Sequence, residues 1–161
     1  MNTIMTQQSR FTKEDRVRAR TKPELNQKID SDLERRLKFY AAQDKETISE
    51  RIEELGREWD IERIVQVNAA SLGLAGVVFG IALSRKWLLL PLVVSGFLLQ
   101  HAMQGWCPPV PWLRRNGVRT RMEIEQERYA LKILRGDFDN IERKTGEPVP
   151  NVTQVVQGVL S

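Results

Sequence analysis

An all-α fold is predicted for this chain: a membrane hairpin of two transmembrane helices, flanked in sequence by cytoplasmic amphipathic helices. Three observations predict it. Positions 64–113 carry only two charges, Arg85 and Lys86, which sit side by side, while the chain on both sides is dense in charge. Each uncharged run is long enough for a bilayer, since about 20 helical residues rising about 1.5 Å each cover a hydrocarbon core of roughly 30 Å. All four tryptophans, Trp59, Trp87, Trp106 and Trp112, fall at the ends of these runs. An indole is apolar with one N–H to satisfy, so it favours the headgroup level. These observations favour two spans, about 64–84 and 87–106, over a buried hairpin in a water-soluble protein.

The 161 residues have 41% hydrophobic and 29% charged side chains, averages that mix two unlike solvents. Met1 to about Lys22 has no apolar period. Arg10, Lys13, Arg16, Arg18, Arg20 and Lys22 make it basic, and a mobile arm is expected over 1–22. Cytoplasmic amphipathic helices are expected over 23–58. Leu25, Ile29, Leu33, Leu37 and Tyr40 recur at spacings of three or four and form one apolar stripe. A second helix is expected from Thr47, because Thr47 and Glu50 have capping-box spacing, with Ile48, Ile52, Leu55 and Trp59 on one face. Nothing between Trp59 and Ile64 breaks a helix, so this one is expected to run into the first span.

The hairpin is assigned to 59–113. Ala69, Gly73, Gly76 and Gly80 are small, and the last two form a GxxxG pair that lets another backbone approach closely. The approaching helix could belong to span two, to another protomer, or to both. Pro91 lies near the start of the second span, where a missing N–H is easiest to tolerate, and Pro108-Pro109 must end it. The cytoplasmic remainder, 114–161, starts basic. Thr120 and Glu123 repeat the capping-box form before a helix to about Arg135 carrying Ile124, Tyr129 and Ile133, with Gly136 as its stop. Phe138 and Ile141 could add a turn, and Val152, Val155, Val156 and Val159 suit a small docking helix.

Orientation follows from the basic residues near the spans. Lys45, Arg51, Arg57 and Arg63 precede them, and Arg114, Arg115, Arg119, Arg121, Arg128 and Lys132 follow, against two in the turn. The positive-inside rule then places both termini in the cytoplasm of a multi-pass protein of the bacterial inner membrane. No apolar signal region precedes the spans. The net charge of +4 calls for no nucleic acid, and Arg114 and Arg115 are expected, with the four tryptophans, at the membrane interface meeting anionic lipid.

Candidate chemistry is sparse. Gln100, His101 and Gln104 are polar groups near the end of span two, where an unpaired polar side chain is expensive. Interhelical hydrogen bonding is the plain reading; haem ligation by His101 between protomers and a permeation role are the alternatives. Cys107, the single cysteine, excludes a disulfide framework and a CxxC metal site. It reads as a packed residue at the helix end, or as a reactive thiol with His101, Arg114 or Arg115 as helpers. The carboxylates over 46–62 alternate with basic residues as a solvated helix face does. No metalloprotease, dinucleotide, P-loop or serine-nucleophile signature occurs. No catalytic residue, cofactor or metal is therefore predicted.

The stretch from Trp59 to about Thr120 resembles the YgaP-like inner-membrane domain family. The resemblance rests on a glycine-rich first span after Asp60-Ile61-Glu62-Arg63, a second ending in Gly105-Trp106-Cys107-Pro108, and then Gly117-Val118-Arg119-Thr120. It implies a small two-span protein whose membrane part is a dimerising anchor, in a family where some members are fused to a sulfur-transferring rhodanese domain. This chain has no second cysteine in a rhodanese-type loop, so sulfurtransferase activity does not carry over. The expected function is a non-enzymatic membrane anchor that self-associates, most simply as a dimer, through Gly73, Gly76 and Gly80. Its cytoplasmic helices would recruit a protein partner. Handling or transport of a small sulfur species through Cys107 is the alternative.

Overall fold

The computed structural model describes residues 15–139, and among these every regular element is helical. In chain order they are α1 (Arg16–Arg20), α2 (Pro23–Tyr40), α3 (Lys45–Arg57), α4 (Ile61–Ala82), a 3₁₀ turn (Arg85–Leu88), α5 (Leu89–Gln104), α6 (Val110–Arg115) and α7 (Arg121–Arg135). Two of them, α4 and the 3₁₀ turn continued by α5, carry apolar stretches long enough to cross a membrane. The described residues form two compact units. One comprises 15–30 and 59–122, the other 31–58 and 123–139. The expected valine-bearing helix over 152–159, and Ile141, lie outside the described residues.

The first unit is the hairpin. Helix α4 begins at Asp60, whose carboxylate accepts a hydrogen bond from the Arg63 N–H at 2.6 Å. This cap corrects the expectation of one helix running through Trp59: α3 stops at Arg57, and the chain is extended at both Glu58 and Asp60. An aspartate three residues before a free N–H supplies what the helix start lacks, and the extended cap conformation interrupts the helix. Ser84 caps the 3₁₀ turn that reverses the chain. Pro91 is the third residue of α5, where no intrahelical bond is forfeited. Gly105, at φ +70°, ends α5 before the prolines are reached.

Gly76 and Gly80 are buried where the two arms meet. A Cβ on Gly76 would lie 2.5 Å from Pro91 Cδ and 3.3 Å from its backbone nitrogen, and one on Gly80 would lie 2.5 Å from Leu88 Cδ2. The GxxxG pair is thus used by span two of the same chain, which leaves it unavailable to another protomer. Gly73, expected on the same packing face, has open space beside it. The expected ranking of alanine substitutions follows. Gly76→Ala meets a rigid ring and destabilises most, by about 1–3 kcal/mol. Gly80→Ala meets the flexible end of a leucine and destabilises less. Gly73→Ala has little effect. Thermal melts in detergent check this order.

At the base of the hairpin, Val17, Ile61, Val65, Cys107, Val110 and Leu113 form an apolar cluster, with Ile64, Leu98 and Val118 packed on it. The segment expected to belong to a mobile arm therefore folds from Asp15 onward. Helix α1 is held by a buried Val17 and by polar bonds that composition does not reveal. Arg18 pairs with Asp30 at 2.5 Å, and Asn26 donates to the Arg18 carbonyl at 3.0 Å.

The second unit packs Ser31–Tyr40 of α2, α3, and α7 from Glu123 onward. Ile48, Leu55, Ile124 and Leu131 are its core, with Leu37, Tyr40 and Ile52 against them. Helix α3 starts three residues earlier than the Thr47–Glu50 pattern suggests. Asp44 is the cap and accepts from the Thr47 N–H at 2.8 Å. Helix α7 begins directly after Thr120 as expected, and Gly136 at φ +90° closes it, its N–H bonded to the Lys132 and Ile133 carbonyls. Tyr129 and Ile133 of α7 are exposed, and its buried apolar positions are Ile124 and Leu131. Glu127 is 0% exposed and accepts from Arg36 Nε at 3.0 Å and Arg51 Nε at 3.1 Å.

Candidate functional site

The ends of the hairpin arms border an open cavity of about 530 Å³ with both polar and apolar walls. Its polar wall is made by Asp15 and Arg16 at the start of α1, Glu62 and Gln66 in the first turns of α4, His101 near the end of α5, and Arg121 at the start of α7. Val17, Leu98, Ala102, Gly105 and Met122 complete it.

Each wall has a local cause. Asp15 is the N-cap of α1. One carboxylate oxygen accepts the Arg18 N–H at 2.9 Å, and the other accepts the buried Thr120 hydroxyl. Arg16 crosses to α5 and donates from Nη1 to the Ala102 carbonyl at 2.5 Å, satisfying one of the free carbonyls at a helix C-terminus with a positive charge. Gly105 lets α1 approach, since a Cβ there would lie 2.5 Å from the Arg16 backbone carbon. The Ile61 N–H donates to the Arg119 carbonyl at 3.1 Å, holding the start of α4 beside the segment that leads to α7.

Two polar atoms in this region are buried without a hydrogen-bond partner among the described residues: Glu62 Oε2 and His101 Nδ1. His101 is only 8% exposed. Its imidazole lines this cavity, beside Ala102 and Gly105 at the end of α5. Gln100 and Gln104 do not line it, so the expected polar trio is not one site.

A second cavity, about 440 Å³ and almost entirely apolar, lies between the spans and α6. Ile64, Val65, Leu72, Phe97, Leu98, Cys107 and Trp112 are among its walls. Cys107 and His101 therefore face different cavities. Arg114, expected at the lipid interface or beside the thiol, is 2% exposed and committed elsewhere. Its Nε donates to Thr21 Oγ1 at 3.1 Å, Nη2 to Asn26 Oδ1 at 2.9 Å and Nη1 to the Val118 carbonyl at 3.3 Å. Arg115 is exposed. Burial pushes the Cys107 thiol above its ordinary range. Below the raised pKa the thiol is protonated and unreactive. Maleimide labelling of Cys107 at pH 7 should therefore run at least about tenfold slower than at an exposed Asn116→Cys in a Cys107→Ser background, and should accelerate as pH rises.

Trp59, Trp87 and Trp112 are exposed at the arm ends, Trp106 is half-buried, the Arg63 guanidinium lies 4.5 Å from the Trp59 ring centroid, and Trp87 meets Phe79 edge-on at 5.3 Å. Among the described residues no group of three or more His, Cys, Asp or Glu could hold a metal ion. Sequence reading passed over Glu62, Gln66, Asp15, Arg16 and Arg121. The available signal was Glu62 and Gln66, one helical turn apart at the base of the first span, level in the hairpin with His101 at the end of the second.

Fold and site together define an all-helical protein with two bilayer-length apolar helices and an open cavity where their ends meet. No protein-family model, curated protein or solved structure matches the chain.

Proposed function

We propose that the chain is a non-enzymatic integral membrane anchor and interaction protein of the bacterial inner membrane. Its hairpin crosses the bilayer twice, both termini lie in the cytoplasm, and its charged helical unit recruits a protein partner. The observation that carries this reading is the bare apolar surface of the arms. Leu74, Ile81, Leu92, Leu99 and Met103 are between 62% and 83% exposed. Only 17% and 6% of the two apolar stretches are buried inside the chain, whereas the core helix of a water-soluble protein would be mostly covered. Lipid removes this surface from water without requiring any protein to cover it.

Kinship with the YgaP-like domains belongs to the same proposal. It rests on the motifs alone, Gly105-Trp106-Cys107-Pro108 and Gly117-Val118-Arg119-Thr120. Self-association would use the outward faces, where Gly73 and Gly96 leave room for another backbone. Recruitment would use exposed Phe39, Tyr129, Ile133 and Leu134 of the charged unit.

Three measurements test the reading. The protein should resist carbonate extraction from membranes. Tags at either end should be reachable only after cells are opened. The detergent-solubilised mass should exceed that of one chain. Dispersion in plain buffer without surfactant overturns the membrane reading; a strict monomer with no co-purifying protein overturns the interaction part alone.

A further inference from the structure

We propose that the cavity at the arm ends binds a primary ammonium joined to a phosphate, the headgroup chemistry of an aminophospholipid. The inference rests on the membrane reading, which places the ends of α4 and α5 at headgroup level. Glu62 Oε2 and His101 Nδ1 are buried without partners among the described residues, and both residues line the cavity. A carboxylate oxygen can only accept a hydrogen bond, and an imidazole nitrogen with its lone pair free also accepts. Leaving such atoms dry and unpaired is costly. With the His101 proton on Nε2, the cavity offers two acceptors, which call for a donor with several N–H groups, and a primary ammonium has three. Arg16 and Arg121 also line the cavity, both on its exposed side. Arg16 uses Nη1 on the Ala102 carbonyl, which leaves other N–H groups of its fork for a phosphate. A trimethylammonium fits poorly, because it has no N–H to offer Glu62. Val17, Leu98 and Met122 give the apolar wall that a glycerol backbone would touch.

The test is the thermal unfolding of the full-length protein in maltoside micelles, titrated separately with dihexanoyl phosphatidylethanolamine, the matching phosphatidylcholine and phosphatidylglycerol, and free phosphoethanolamine. The ethanolamine lipid should raise Tm saturably by a few degrees and the choline lipid should not. Glu62→Gln keeps the size of the side chain and removes its charge. It should be at least as stable as the parent without lipid, yet lose roughly tenfold or more in affinity. Arg121→Gln should weaken the ethanolamine lipid and free phosphoethanolamine alike. An equal shift with free phosphoethanolamine supports the site and assigns its source as soluble; a shift with the lipid alone assigns it to the bilayer. Equal shifts with ethanolamine, choline and glycerol lipids overturn the proposal, as does an undiminished response in Glu62→Gln. No shift with any probe, from protein that still resists carbonate extraction, overturns the site and leaves the membrane reading standing.

Discussion

Glu127→Ala is expected to unfold the charged helical unit more readily than any other single side-chain truncation there. Glu127 is fully buried and bridges Arg36 of α2 and Arg51 of α3 from its place on α7. Removing it takes the buried carboxylate from both guanidiniums and leaves Arg51 only its exposed pairing with Glu54 at 2.9 Å. Breaking a buried ion pair typically costs 3–5 kcal/mol; here about 2–4 kcal/mol is expected, because the arginines keep some contact with water. Their side chains are 31% and 19% exposed. Amide hydrogen exchange reads the result directly. Protection over α3 and α7 should fall sharply while protection in α4 and α5 stays unchanged. Glu127→Met combined with Arg36→Leu and Arg51→Leu should recover much of the loss, since a packed apolar trio avoids the desolvation of three charges. A single Glu127→Ala that melts like the parent would show that the bridge contributes nothing.

The second large effect is expected at Gly105→Ala. The position has φ +70°, which L residues avoid, and the new Cβ would meet the Arg16 backbone at 2.5 Å. The left-handed conformation alone costs about 1–2 kcal/mol, and the collision adds about 1–3 kcal/mol unless α1 moves away. Gly117→Ala is the control, because it shares the positive φ, +80°, and has open space beside it. The difference between the two melting temperatures isolates the contact between α1 and the end of α5. Equal shifts would mean that this contact carries no stability.

These effects show which parts of the fold could be read from the chain. The spans, their short turn, Pro91, the α2 stripe and the Gly136 stop follow from hydrophobic period and backbone chemistry, which are local. Asp44 and Asp60 are equally local signals, but Thr47 and Glu50 offer a competing cap pattern three residues after the first, and no proline or glycine marks the break at the second. Arg114 could not be read locally. A juxtamembrane arginine looks the same whether it meets lipid or, as here, Thr21 and Asn26 some ninety positions earlier. Its burial depends on partners that only the folded chain supplies. The same holds for the cavity. His101 stands out as a lone polar residue in an apolar helix, but Glu62, Arg16 and Arg121 acquire meaning only once α1 and the segment through Arg121 are brought to the base of the hairpin.

Docking of α1 also sets an order of events during synthesis. Asp15 bonds to Thr120, 105 positions later, and Arg16 to Ala102, 86 positions later. At about 5–20 residues per second, the ribosome needs on the order of 5–20 s to make the intervening chain. Throughout that interval the amino-terminal segment has no seat. The arms α4 and α5 and the segment to Thr120 must therefore be made before α1 can close over their base.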